Sequence, residues 1–148
     1  MTRLLVAVAV AAVAVAIPAL AQDTPAVKAA KELNGTYAIK SANFDNKPAP
    51  DEMLKDVTAV EIKDGTITVR TAKKDDPAKF TVEPSKDPKK PGSIDIASGG
   101  DKAKPGLYKF DKGELTIAFS DKDARPTDFA PADGVRVLVL VKKDEPKK

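Results

Sequence analysis

The chain has 148 residues and a formal net charge of +3, and it contains no cysteine, histidine or tryptophan. These absences remove disulfides, the usual zinc ligand, the usual general base, and with them Ser–His and Cys–His catalysis. Charged residues make up 32% of the chain but mix in sign, as in KKDDPAK and SKDPKKPG; this describes a solvated surface, not the basic groove with aromatic platforms that nucleic-acid binding needs.

The first segment reads as a leader. Arg3 precedes an uninterrupted apolar run from Leu4 to Ile17, Pro18 breaks it, and Ala19-Leu20-Ala21 supplies small residues for cleavage after Ala21. The run is shorter than the roughly 20 residues a membrane-spanning helix needs. With no cysteine after the leader, a lipid-anchored lipoprotein is excluded. Residues 1–21 are therefore expected to be a signal peptide and the protein to be exported, periplasmic or extracellular, with no membrane span once the leader is removed.

Residues 22–34 predict a lead-in and a short helix. Thr24 is a cap, Pro25 suits the first turn, and Gly35 stops the helix after Leu33. Val27, Ala30 and Leu33 lie at helical spacing and predict a buried face. From Gly35 the period changes to two. Tyr37 and Ile39 alternate with Thr36, Ala38 and Lys40, and a short helix at Asp51–Lys55 follows. Val60 and Ile62 then lead through Asp64-Gly65 to Ile67 and Val69; Asp-Gly between alternating runs is a strong hairpin signal because both turn residues need positive φ. Phe80 with Val82, Ile94 with Ile96, and Tyr108 with Phe110 predict further strands. Asp111-Lys112-Gly113 turns the chain into Leu115, Ile117 and Phe119, and Val135–Val141 is the last strand. The prolines fall outside these alternations or at their ends, where no ladder donor is lost.

The last strand, VRVLVLV, is apolar on both faces: Val135, Val137, Val139 and Val141 on one, Leu138 and Leu140 with Arg136 on the other. Left as an edge it would template aggregation. Pairing it with the first strand removes the edge, and the helix face would then cover the leucines on the outside. The expectation is an all-β fold: an antiparallel up-and-down barrel of about eight strands spanning residues 35–143, with a short N-terminal helix and a charged tail at 144–148.

Gly35-Thr36-Tyr37 is similar to the glycine-x-tryptophan opening of lipocalin first strands. In order, LNGTYAIKS, DNKPAPDEMLKDV, GLYKFDKGELTIAF and ARPTDF before a final apolar strand resemble a family of small secreted lipocalin-like domains of unknown function, widespread in planctomycete bacteria. The resemblance covers Leu33 to Lys143. This chain has Tyr37 where the family often has tryptophan, Asn46 where a turn glycine is common, and Ala118 where cysteine is frequent. The resemblance implies a barrel and no particular activity. In lipocalin-like barrels a late arginine often stacks on the first-strand aromatic, which implies Arg125 over Tyr37 as a closing cation–π contact; the other reading of Arg125 is anion binding in a pocket.

Tyr37, Tyr108, Phe110 and Phe119 are the candidate lining of a ligand cavity, since eight strands leave room for packed side chains or one small ligand. A barrel filled by Ile and Val, packed to the usual interior density, is the plainer reading. Asp121, Asp123, Asp128 and Asp133 suggest calcium by composition, but Arg125 and Pro126 break the EF-hand spacing, and a solvated acidic loop is the plainer reading. No nucleophile motif surrounds the serines, and no carboxylate pair is placed across a cleft. The sequence thus predicts a monomeric, non-enzymatic exported module without cofactor or metal. It either holds a small apolar or amphipathic ligand, or meets an envelope protein or wall polymer through its loops.

Overall fold

A computed structural model describes residues 23–143. The expected leader and the charged tail lie outside the described residues. The described residues form nine strands and two short helices: α1 (Pro25–Glu32), β1 (Gly35–Phe44), β2 (Lys47–Pro48), α2 (Asp51–Asp56), β3 (Val57–Lys63), β4 (Thr66–Thr71), β5 (Asp75–Glu83), β6 (Gly92–Ser98), β7 (Lys104–Asp111), β8 (Glu114–Ser120) and β9 (Val135–Lys142). Strands β1 and β3 to β9 pair antiparallel in chain order, and β9 pairs back onto β1 from Tyr37↔Lys142 to Phe44↔Arg136. The result is a closed eight-stranded barrel with no free edge along β9. The two-residue β2 only extends β1 as an ear.

Turn chemistry sets the hairpins. Asp64 and Gly65 both have positive φ, +48° and +76°, as a two-residue type I′ turn requires. Lys112-Gly113 repeats this between β7 and β8, and Asp45-Asn46 between β1 and β2. The turn at Asn46 fits the resemblance, but β2 was not among the sequence expectations. Asn and Asp tolerate the left-handed region next best after glycine, so the residues suit it.

Pro77 and Pro105 lie inside strands, yet each sits where only one neighbour is present. Pro77 pairs with Thr68 of β4 before β6 begins pairing at Ala78, and Pro105 pairs with Asp95 of β6 before β8 begins at Gly106. No ladder donor is missed there.

The barrel has two unlike halves. At the end where α1 enters, Leu33, Tyr37, Ile62, Ile94, Leu115 and Tyr108 fill the interior. Thr24 Oγ1 accepts from the Val27 amide and starts α1, and Leu33 ends it. The Tyr37 hydroxyl donates to the Leu33 carbonyl at 2.8 Å, which ties the helix end into the core. The helix packs against β5 across this end of the barrel. It buries Ala29 and Leu33 and packs Ala30 against the core, but leaves Val27 41% exposed, so of the expected face only Val27 is corrected.

The expectation for the leucines is corrected as well. Leu138 and Leu140 point into the barrel and border its cavity, paired with inward residues of β8 and β1: Ile117↔Leu138, Leu115↔Leu140 and Ile39↔Leu140. The valines take the outer face. There Val137 pairs with Ala118, which in turn pairs with Leu107, and all three are buried although they point outward. The β8–β9 connection accounts for this. It is closed at its base by Asp121 N to Gly134 O at 2.8 Å, and Arg125 reaches across to β6 and β7.

Candidate functional site

The other half of the barrel is hollow. A cavity of about 450 Å³ opens at the end opposite α1, within the size range of roughly 300–1,000 Å³ typical of small-molecule sites. Ile39, Val60, Ile67, Ile96, Ile117 and Leu140 form its deep part, each projecting inward from a different strand. A register shift between Ile39 and Ser41 of β1 keeps the inward sequence going past Lys40, so that Ala42 and Phe44 also face the cavity. Met53 and Leu54 of α2 lie at the mouth; Met53 is the most exposed large apolar side chain among the described residues.

The mouth carries a compact charged group on one wall. Arg136 of β9 occupies an inward position, paired with Phe44 of β1, and its guanidinium carbon lies 5.5 Å from the Phe44 ring centroid. Its Nε donates to Asp121 Oδ2 at 2.8 Å, and Lys104 Nζ of β7 donates to Asp121 Oδ1. Partial burial works to raise the Asp121 pKa, but the hydrogen bonds and charges of Lys104 and Arg136 outweigh it and hold the carboxyl below its ordinary value. One carboxylate thus serves two cations.

Of the residues singled out from the sequence, only Phe119 borders this cavity. Tyr37 is fully buried in the filled half, its hydroxyl already bonded to Leu33, and burial pushes its pKa up. Tyr108 also faces inward in that half. A Cβ on Gly92 would collide with its ring, so the absent side chain is what admits the tyrosine. Burial, with a smaller contribution from the Glu32 carboxylate, raises the Tyr108 pKa. Phe110 is half-buried against the same packed core and does not reach the cavity.

Arg125 does not stack on Tyr37. It lies on the outer face of β6–β7, where it donates to the carbonyls of Ile94 (3.2 Å) and Gly106 and to Asp95 Oδ1 (2.8 Å). The reason is topological: Tyr37 points inside at the α1 end, whereas Arg125 belongs to a loop that folds down the outside. Among the described residues the cation–π contact is Arg136 over Phe44 instead. In the same loop Asp123 is bonded by Lys102 at 2.8 Å, and Asp128 accepts from the Ala130 amide at 2.9 Å. Among the described residues no group of three or more carboxylates converges as a metal site would require.

The residues missed in the sequence are Arg136 and Lys104 at the mouth and the aliphatic side chains of the floor. One signal was present: Arg136 is the lone charge in VRVLVLV and shares a face with Leu138 and Leu140. A charge on the inward face of an otherwise apolar strand marks a place where the interior meets water. Comparison with protein-family models, with curated proteins and with solved structures finds no match to the chain.

Proposed function

We propose that the protein is an exported, non-enzymatic binding module that holds a small apolar or amphipathic molecule in the open half of the barrel. The observation that carries this is the contrast within one barrel. One half is filled by Leu33, Tyr37, Leu115 and their neighbours, while the other keeps about 450 Å³ bordered by aliphatic side chains. Protein interiors pack to the density of organic crystals. An enclosed void of that volume would cost on the order of 10 kcal/mol, at about 24 cal/mol per Å³. Opening it to water avoids the vacuum but wets the aliphatic walls. A resident apolar molecule removes both costs. Export rests on the leader pattern of residues 1–21, and the non-enzymatic character on a chain without histidine, cysteine or a placed carboxylate pair.

The test is the mass of the protein purified from its native host under non-denaturing conditions. An added mass of small-molecule size, lost on unfolding, is the expected result. A bare monomer that also takes up no aliphatic molecule in titrations overturns the reading. It would favour a barrel that meets an envelope protein or wall polymer through its loops.

A further inference from the structure

The charged group at the cavity mouth points to the chemistry of the molecule inside. Arg136 and Lys104 both face the mouth, from β9 and β7, and share the single carboxylate of Asp121. That leaves one positive charge in excess at this wall. Among the described residues no protein acceptor meets the two Nη groups of Arg136, whose only bond is made through Nε. Lys104 likewise spends one donor and has two left. The free Nη fork of Arg136 presents parallel N–H groups, the geometry that matches a carboxylate.

The acids of the mouth lie elsewhere. Asp76 is on β5, which the strand order places diametrically opposite β9, and Asp56 is on α2. Lys73, in the turn before β5, is the cation of that side. The rim is therefore polarised by charge: Arg136 and Lys104 against Asp121 leave an excess cation on the β7–β9 wall, whereas Asp56 and Asp76 outnumber Lys73 on the facing side. Directly below the two cations the wall turns apolar: Leu138 and Leu140 follow Arg136 on the inward face of β9, over about 13 Å of strand at ~3.3 Å per residue.

We propose that the ligand is a single-chain aliphatic carboxylic acid of medium length, its tail among Leu138, Leu140, Ile117 and Ile67 and its carboxylate on Arg136 Nη and Lys104 Nζ. This rests on the lumen reading above and goes beyond it by naming the head group and the residues that read it. Asp121 holds both cations in place and keeps them from folding out into solvent. It is a positioning residue here, and the incoming carboxylate takes the donors it leaves free.

The experiment compares decanoate, decanol and decyltrimethylammonium by titration calorimetry at low ionic strength. The proteins are the parent, Arg136→Gln, Lys104→Gln and, as a control for loss of a lysine charge at the same end, Lys102→Gln. Charge-assisted hydrogen bonds predict that the parent and Lys102→Gln bind decanoate about tenfold more tightly than decanol. Arg136→Gln should bring the two within about twofold, and its circular dichroism and thermal transition show that the variant is folded. Lys104→Gln should lower the preference in part, and it tests the same wall if Arg136→Gln fails to fold. Equal binding of decanoate and decanol by the parent overturns the head-group assignment and leaves the lumen reading standing. So does tighter binding of the ammonium, or a decanoate preference that survives both substitutions. If none of the three probes binds, both readings fall together.

Discussion

The division of the barrel into a filled and a hollow half predicts that one strand should tolerate a large side chain at one position and reject it two residues away. Ile117 and Leu115 both point inward from β8 and both are essentially unexposed, but Ile117 borders the cavity and Leu115 does not. A tryptophan at 115 has no space to enter; overpacking of this kind costs about 1–3 kcal/mol. At roughly 4 °C per kcal/mol for a domain of this size, that lowers Tm by about 4–12 °C. A tryptophan at 117 can lean into the open volume. The indole covers roughly 50–100 Å² more apolar surface than isoleucine, worth about 1.3–2.5 kcal/mol at ~25 cal/mol per Å², which offsets the side-chain ordering it requires. Ile117→Trp should therefore leave Tm within about 4 °C of the parent, while closing the cavity to ligand. Because the chain has no tryptophan, each variant carries its own single reporter: emission at both positions should be blue-shifted, and both transitions can be followed by that signal. Equal destabilisation by the two substitutions would refute the reasoning, since it would mean that the space beside Ile117 is no more open than that beside Leu115. So would a stable Ile117→Trp protein that binds its ligand as well as the parent does.

Tyr37→Phe removes the hydroxyl that satisfies the Leu33 carbonyl, and urea unfolding should show a loss of about 1–2 kcal/mol with an unchanged m-value. The same tyrosine, with Tyr108, contributes to alkaline behaviour. Its folded pKa is raised above 10.0 by burial, so its contribution is intact below that pH and is lost as pH rises through the folded value; Tyr37→Phe should make stability less steep above pH 10.0, and an unchanged slope would count against the buried assignment. Asp121 has the opposite sign. Its folded pKa lies below 3.8, so its contribution is present above 3.8 and is lost as pH falls through the folded value. Asp121→Asn should flatten acid unfolding there, as followed by circular dichroism, and no change would mean that the carboxylate is not held by Lys104 and Arg136. Gly92→Ala should cost about 1–3 kcal/mol in thermal unfolding, because the new Cβ meets the Tyr108 ring and lies 2.9 Å from the Glu83 carbonyl. The double variant with Tyr108→Leu should recover part of that loss, and a neutral Gly92→Ala would show that the ring does not lie there.

Local chemistry accounts for the parts of the barrel that could be read without coordinates. Period-two alternation marks each wall strand, positive-φ residues mark the Asp64-Gly65 and Lys112-Gly113 turns, and Thr24-Pro25 begins the helix, because each depends on neighbours in the chain. The closure of β9 onto β1 was also legible, since VRVLVLV is too apolar on both faces to remain an edge. Yet that same two-sidedness concealed which face turns inward. Only the pairing with Ile117, Leu115 and Ile39 places the leucines inside, and with them Arg136 at the mouth. The aromatic candidates misdirected attention for a related reason. Size and hydrophobicity say that Tyr37 and Tyr108 are interior, but not in which half, and a side chain that fills the core resembles one that borders a cavity until the opposite wall is known. Arg125 shows the limit most plainly. Its partners Ile94, Asp95 and Gly106 are distant in sequence and meet it through backbone carbonyls that every residue possesses. Strand, turn and closure were thus determined by the sequence itself. Where the barrel is full, where it is empty, and which cations stand at its mouth were decided by the tertiary structure, because volume and register are properties of facing walls that no single segment contains.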